Sequence, residues 1–85
     1  MDLNVTTSGS NVNIMIEGDR LRGNIAVAVF MDGYKEKWVH LNENSVGCYT
    51  GSCLRPGPEG EYHFHVYEMR QGNPIWVGDA GTEYL

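Results

Sequence analysis

Positive charge is scarce in this chain: six lysines and arginines stand against eleven aspartates and glutamates, a net charge of -5. Binding a phosphate backbone needs clustered cations that release counterions, so nucleic acid is not an expected partner. Long apolar runs are missing too. The longest, Ile25 to Met31, falls far short of the roughly 20 residues that cross a bilayer, and no charged-then-apolar leader precedes it. The expectation is a soluble chain without membrane insertion, working either in the cytoplasm or as a mature segment outside it. Two cysteines do not fix the redox compartment. No glycine-rich phosphate loop, nucleophile elbow or carboxylate pair stands out, so no enzyme is expected. With 85 residues there is room for one domain, 1–85, and no second domain to form a cleft.

What the chain has is glycine and aromatics: 11 glycines, two tryptophans, five tyrosines and two phenylalanines. Frequent tight turns and a packed core of β-forming residues favour strands over long helices. The organising stretch is Glu61 to Met69, entered from a Pro/Gly turn at Pro56 to Gly60 and left through Gln71 to Pro74. Its period-two alternation sets Tyr62, Phe64 and Val66 on one face and His63, His65 and Tyr67 on the other. Asn11 to Glu17 alternates in the same way, with Val12, Ile14 and Ile16 on the apolar side. The turn from Gly18 to Gly23 predicts that the next strand returns antiparallel to it. Asn24 to Met31 is apolar on both sides, the pattern of a strand covered on two faces. Asp2 to Gly9 reads as an edge strand, Tyr34 to Leu41 as irregular with a short strand or turn, and Asn42 to Asn44 as a polar loop. Ser45 to Leu54 reads as strand, turn, strand, or as one strand bulged at a glycine. Ile75 to Val77 predicts the partner closing the last hairpin, with Gly78 to Leu85 a poorly ordered tail or an edge.

Gly60-Glu61-Tyr62-His63-Phe64 matches the Gly-x-Tyr-x-apolar entry of a late strand in immunoglobulin-like sandwiches, where the tyrosine hydroxyl bonds back to backbone at the corner. A longer pattern contains it. Val12 to Gly18, then Leu21, Gly23, Asn24 and Ile25 to Phe30, then Gly33-Tyr34, then Leu54, the Pro/Gly turn and Glu61 to Glu68, resembles the small bacterial secreted β-sandwich family classed as domain of unknown function 2141. The resemblance covers about two thirds of the chain and implies an immunoglobulin-like or transthyretin-like sandwich in a secreted or periplasmic protein. The acidic loop that usually follows the family's tyrosine strand is replaced here by Glu68 to Asn73.

Three groups of residues carry candidate chemistry. Tyr34 and Trp38 in a loop, and Tyr49 at a hairpin tip, would offer large contact area at low entropic cost to a protein or glycan partner; otherwise they cover the open ends of the sandwich. His63 and His65 project from the same strand face and with His40 would supply imidazoles to zinc or copper; otherwise they sit on a partly wet sheet face beside Tyr67. Cys48 and Cys53 enclose a stretch of hairpin length and are either a disulfide or two thiols.

The fold expected is all-β, a single antiparallel β-sandwich of about six or seven strands. The function expected is a non-catalytic binding or protein-interaction module using loop aromatics. A small metal-binding protein centred on His63 and His65 is the alternative. A third reading is an acidic inhibitor of the phage-encoded type, imitating a polyanion. A homodimer through an edge strand is a further expectation.

Overall fold

A computed structural model describes the whole chain, Met1 to Leu85. It contains eight strands: β1 (Asp2–Ser8), β2 (Asn11–Glu17), β3 (Ile25–Phe30), β4 (Lys37–His40), β5 (Asn42–Ser45), β6 (Cys48–Leu54), β7 (Glu61–Arg70) and β8 (Asn73–Tyr84). They form two four-stranded antiparallel sheets, β1-β2-β6-β5 and β4-β3-β7-β8, packed as a sandwich. No helix is long and apolar enough to cross a membrane.

The sandwich forms because period-two alternation gives each sheet one apolar face. Val12, Ile14 and Ile16 of β2 meet Ile25, Val27 and Val29 of β3 and Tyr62, Phe64 and Val66 of β7 in one buried cluster. Each of the three β7 side chains contributes about 1.5 to 3 kcal/mol of burial, an upper figure because the unfolded chain already hides part of this area. At the entry to β7 the Tyr62 hydroxyl donates to the Pro58 carbonyl at 2.6 Å, the corner bond expected from Gly-x-Tyr. Past the end of β8, Leu85 exchanges two backbone hydrogen bonds with Gly60, of 2.9 and 3.1 Å. The C-terminal stretch is thus an edge strand, paired along its length with β7.

Several expectations are corrected. There are eight strands rather than six or seven, because Asn42 to Ser45 pairs with β6 through backbone bonds that need no apolar side chain. The turn from Gly18 to Gly23 does not return β3 beside β2. It crosses between the sheets, leaving β2 beside β6 and β3 beside β7. The crossing is clasped by Gly18 N–H donating to Gly47 O at 2.9 Å. Cys48 to Leu54 is one strand and holds no hairpin, so Cys48 and Cys53 lie five residues apart on one extended segment, opposite Glu17 and Val12. At about 3.3 Å per residue their backbones are roughly 16 Å apart, beyond the reach of a disulfide, and both are free thiols.

One side of the sandwich is closed where the chain passes from β4 into β5. Leu41 between them is buried, and its N–H donates to Ile25 O at 2.9 Å. A Cβ on Gly51 of β6 would lie 2.6 Å from Leu41 Cδ2 and 3.1 Å from His40 O, so glycine leaves room for this close passage. Of the edge strands, β5 and β8 carry bulges, whereas β1 keeps an unbroken register over seven residues.

Candidate interaction surface

The core uses one face of each sheet and leaves two outer faces, and these differ in chemistry. On the β1-β2-β6-β5 sheet the outer face is mostly polar, with the carboxylates of Asp2 and Glu17 opposite one another at one end. Asn4, Thr6, Asn13, Asn42, Thr50 and Ser52 line an open depression of about 590 Å³. The outer face of the β4-β3-β7-β8 sheet is a continuous layer of rings.

That layer starts from β3. Ile25, Val27 and Val29 point into the core, while Ala26 and Ala28 point outward and are nonetheless 0% and 2% exposed. They are roofed by side chains from the strands on either side. Ala28 lies between Trp38 of β4 and His65 of β7, and Ala26 between His40 and Tyr67. Because both central side chains are methyl groups, Trp38 and Tyr67 lean across β3 until their ring centroids are 4.9 Å apart. Tyr67 then meets Trp76 of β8 at 5.4 Å, and Trp76 meets His65 edge-on at 5.1 Å. Phe30 at the end of β3 completes the layer, 4.9 Å from His65 and stacked 5.0 Å from His63. Ring pairs at these separations each add about 0.5 to 1.5 kcal/mol beyond area burial.

Trp76 and Asp79 reach this face because β8 is bulged twice. The register passes from Tyr67↔Trp76 to Val66↔Gly78, and from His65↔Asp79 to Phe64↔Gly81, skipping Val77 and Ala80. The two skipped residues pack against the core. Trp76, Asp79 and Thr82, three residues apart in sequence, therefore share the outer face opposite Tyr67, His65 and His63. Bulges of this kind re-aim side chains.

Polar groups edge the rings. His63 Nε2 lies 3.3 Å from Asp32 Oδ1, and His65 Nε2 lies 3.7 Å from Asp79 Oδ2. Asp79 is held by its other oxygen, which accepts from Gly81 N–H at 2.8 Å. Trp38 Nε1–H donates to Glu36 Oε1 at 3.3 Å. Trp38 is 38% and Trp76 53% exposed, so much of the layer's apolar area faces solvent.

The residues singled out by sequence separate accordingly. Trp38 belongs to the layer, but from a strand and not a loop. Tyr34 is exposed on the β3–β4 connection and joins none of the ring contacts. Tyr49 is corrected outright: it is 1% exposed, part of the core, and its hydroxyl donates to Gly23 O at 2.9 Å. With β6 continuous, Tyr49 occupies an inward position and no hairpin tip exists. His63 and His65 do share a face, at 6.2 Å between ring centroids, but each faces its own carboxylate. His40 lies opposite Ala26, four residues along β3 from Phe30 and His63, a separation of about 13 Å. It lines the polar depression instead. No group of three or more His, Cys, Asp or Glu side chains converges, which removes the geometric basis for the metal-binding alternative.

Sequence reasoning missed Phe30, Tyr67, Trp76 and Asp79 as members of one surface. Alternation did place Tyr67 beside the histidines. The pair of alanines in an otherwise bulky strand was the signal for Trp38 and Tyr67 meeting; the bulges of β8 left no such signal. No family model, curated protein or solved structure matches this chain. The functional reading therefore rests on the geometry.

Proposed function

We propose that this chain is a non-catalytic interaction module whose contact surface is the outer face of the β4-β3-β7-β8 sheet. The observation carrying this reading is the exposed, mutually packed ring layer centred on Trp38, Tyr67 and Trp76. Rings that already support one another lose little freedom on binding, and tryptophan and tyrosine are enriched among the few residues that carry most of the energy at protein contacts. A contiguous apolar patch of this kind on a small protein marks a binding site more often than a solvated face does. Of the titratable groups beside it, Asp32 and Asp79 are open to water and His63 and His65 are half-buried on a sheet face, which suits contact rather than proton transfer in a desolvated cleft.

The test is to immobilise the chain and compare what it retains from extract of its source cells with what a Trp38→Ala/Trp76→Ala variant retains, after circular dichroism has established that the variant is folded. The reading expects a defined set of proteins held by the parent and by Tyr34→Ala but lost from the ring variant. Identical retention by all three proteins would remove this surface from the function.

A further inference from the structure

The charges around the ring layer point to its occupant, an inference that rests on the interaction surface proposed above. Along the outward positions of β4, β3, β7 and β8 the charged side chains other than histidine are Asp79 and, at the start of β7, Glu61, and two more carboxylates, Asp32 and Glu36, stand at the rim. Asp32 and Asp79 have side chains 89% and 55% exposed, so both are available to a ligand. The cations are elsewhere. Lys37 alternates with Trp38 to the opposite side of β4, where its charge reaches Cys53. Arg70 is bonded to Glu68 at 3.1 Å, Arg20 and Arg22 lie on the β2–β3 crossing, and Arg55 follows β6. Lys35 alone accompanies Glu36 on the β3–β4 connection.

We infer that this face receives a basic segment of a partner protein, its arginine or lysine side chains lying on the exposed rings of Trp38 and Trp76 with Asp32, Glu36 and Asp79 compensating their charge. The negative faces of tryptophan and tyrosine rings attract a guanidinium or ammonium within about 6 Å, and the apolar stems of those side chains cover ring area that is now wet. The carboxylates add charge-assisted hydrogen bonds at the margin and oppose acidic partners. A second copy of this chain is disfavoured as occupant, because two such faces would oppose carboxylate to carboxylate. A neutral glycan could stack on the rings, but it would draw no advantage from a margin where carboxylates outnumber the one lysine, Lys35.

The experiment uses the intact, isotope-labelled chain, whose two tryptophans give one indole N–H signal each and so report this face directly. Three probes are titrated: a short arginine/glycine/serine peptide, the same peptide with glutamate for arginine, and the neutral oligosaccharide cellohexaose. The arginine peptide is expected to shift both indole signals saturably, and the other two to leave them in place. Its affinity should weaken about threefold to tenfold in the Asp32→Asn/Asp79→Asn variant, where asparagine keeps the acceptor for Gly81 N–H. It should also weaken as salt rises from about 0.01 to 0.15 M, shortening the Debye length from about 30 to 8 Å. Equal or larger shifts with cellohexaose or the acidic peptide would overturn the basic occupant while leaving the face a binding surface. Unmoved indoles with the arginine peptide, or an affinity indifferent to both carboxylates, would also overturn it. Failure of the surface itself is read separately, from unchanged retention by the Trp38→Ala/Trp76→Ala variant.

Discussion

Trp38 and Tyr67 stand on strands that are not neighbours, yet their ring centroids are 4.9 Å apart because the intervening strand presents only the methyl groups of Ala26 and Ala28 between them. The outer layer is therefore built on two small residues as much as on six rings. Ala28→Leu would insert branched bulk where there is 2% exposure and separate Trp38 from Tyr67. Overpacking of this kind costs about 1 to 3 kcal/mol. The expected result is a lower urea midpoint together with a reduced near-ultraviolet dichroism signal from the tryptophans. A variant with parent-like stability and dichroism would show that the alanines do not hold the rings together.

Two buried tyrosines fix corners of the sandwich and set its behaviour in alkali. Burial pushes the Tyr49 hydroxyl up, with Glu43 adding to the effect, and burial pushes Tyr62 up against a smaller opposing influence from Arg55. The folded chain thus holds both phenolic protons more tightly than the unfolded chain does. The stability this confers is complete below the unfolded tyrosine value of about 10 and is lost as pH rises through the folded values. Ionisation also removes the O–H groups that donate to Gly23 O and Pro58 O. Tyr62→Phe should cost about 0.5 to 1.5 kcal/mol near neutrality, the usual net worth of one such bond. Its urea midpoint should then fall less than the parent's between about pH 9 and 11. Parallel decline of the two proteins would remove Tyr62 as a source of the alkaline loss.

The clasp between the β2–β3 crossing and the β5–β6 turn depends on Gly47. It has φ of +76°, and a Cβ there would lie 2.8 Å from the Gly18 carbonyl oxygen, a backbone atom with little freedom to yield. At Gly51 the nearest obstacle is instead the end of the Leu41 side chain, which can turn away. Gly47→Ala is expected to cost about 1 to 3 kcal/mol from backbone strain, and Gly51→Ala less. Thermal denaturation of the two variants side by side gives the order, and the reverse order would place the tighter constraint at the Leu41 passage.

The parts of this fold legible in the sequence are those where one physical cause acts alone. Val12, Ile14 and Ile16 alternate because one sheet face is buried. Ile25 to Phe30 is apolar throughout because its strand is covered by the core on one side and by rings on the other. Gly60 and Tyr62 announce a corner because a tyrosine hydroxyl at that point must find a backbone acceptor. Where two causes compete, the pattern fails. Asn42 to Ser45 has no apolar alternation, since its pairing uses backbone groups alone. Trp76, Asp79 and Thr82 share a face at a spacing of three, because two bulges turn Val77 and Ala80 into the core; strict alternation sets Trp76 with Gly78 and hides the surface. Tyr49 was misread for a related reason, the glycine at 51 suggesting a turn where its role is to let Leu41 pass.

The continuity of β6 makes a last prediction about its thiols. Cys48 and Cys53 pair across from Glu17 and Val12 on one extended strand, and no fluctuation short of breaking the β2–β6 ladder brings their sulfurs together. Burial also pushes the Cys53 thiol up, only partly offset by Lys37, so less of the reactive thiolate is present in the folded chain. Treatment with iodoacetamide under denaturing, non-reducing conditions should add two carbamidomethyl groups by mass. In the native protein Cys53 should react more slowly than it does after unfolding in urea at the same pH. A mass lower by two hydrogen atoms that resists alkylation until reductant is added would mean that a disulfide forms, and β6 would then have to be folded back as a hairpin.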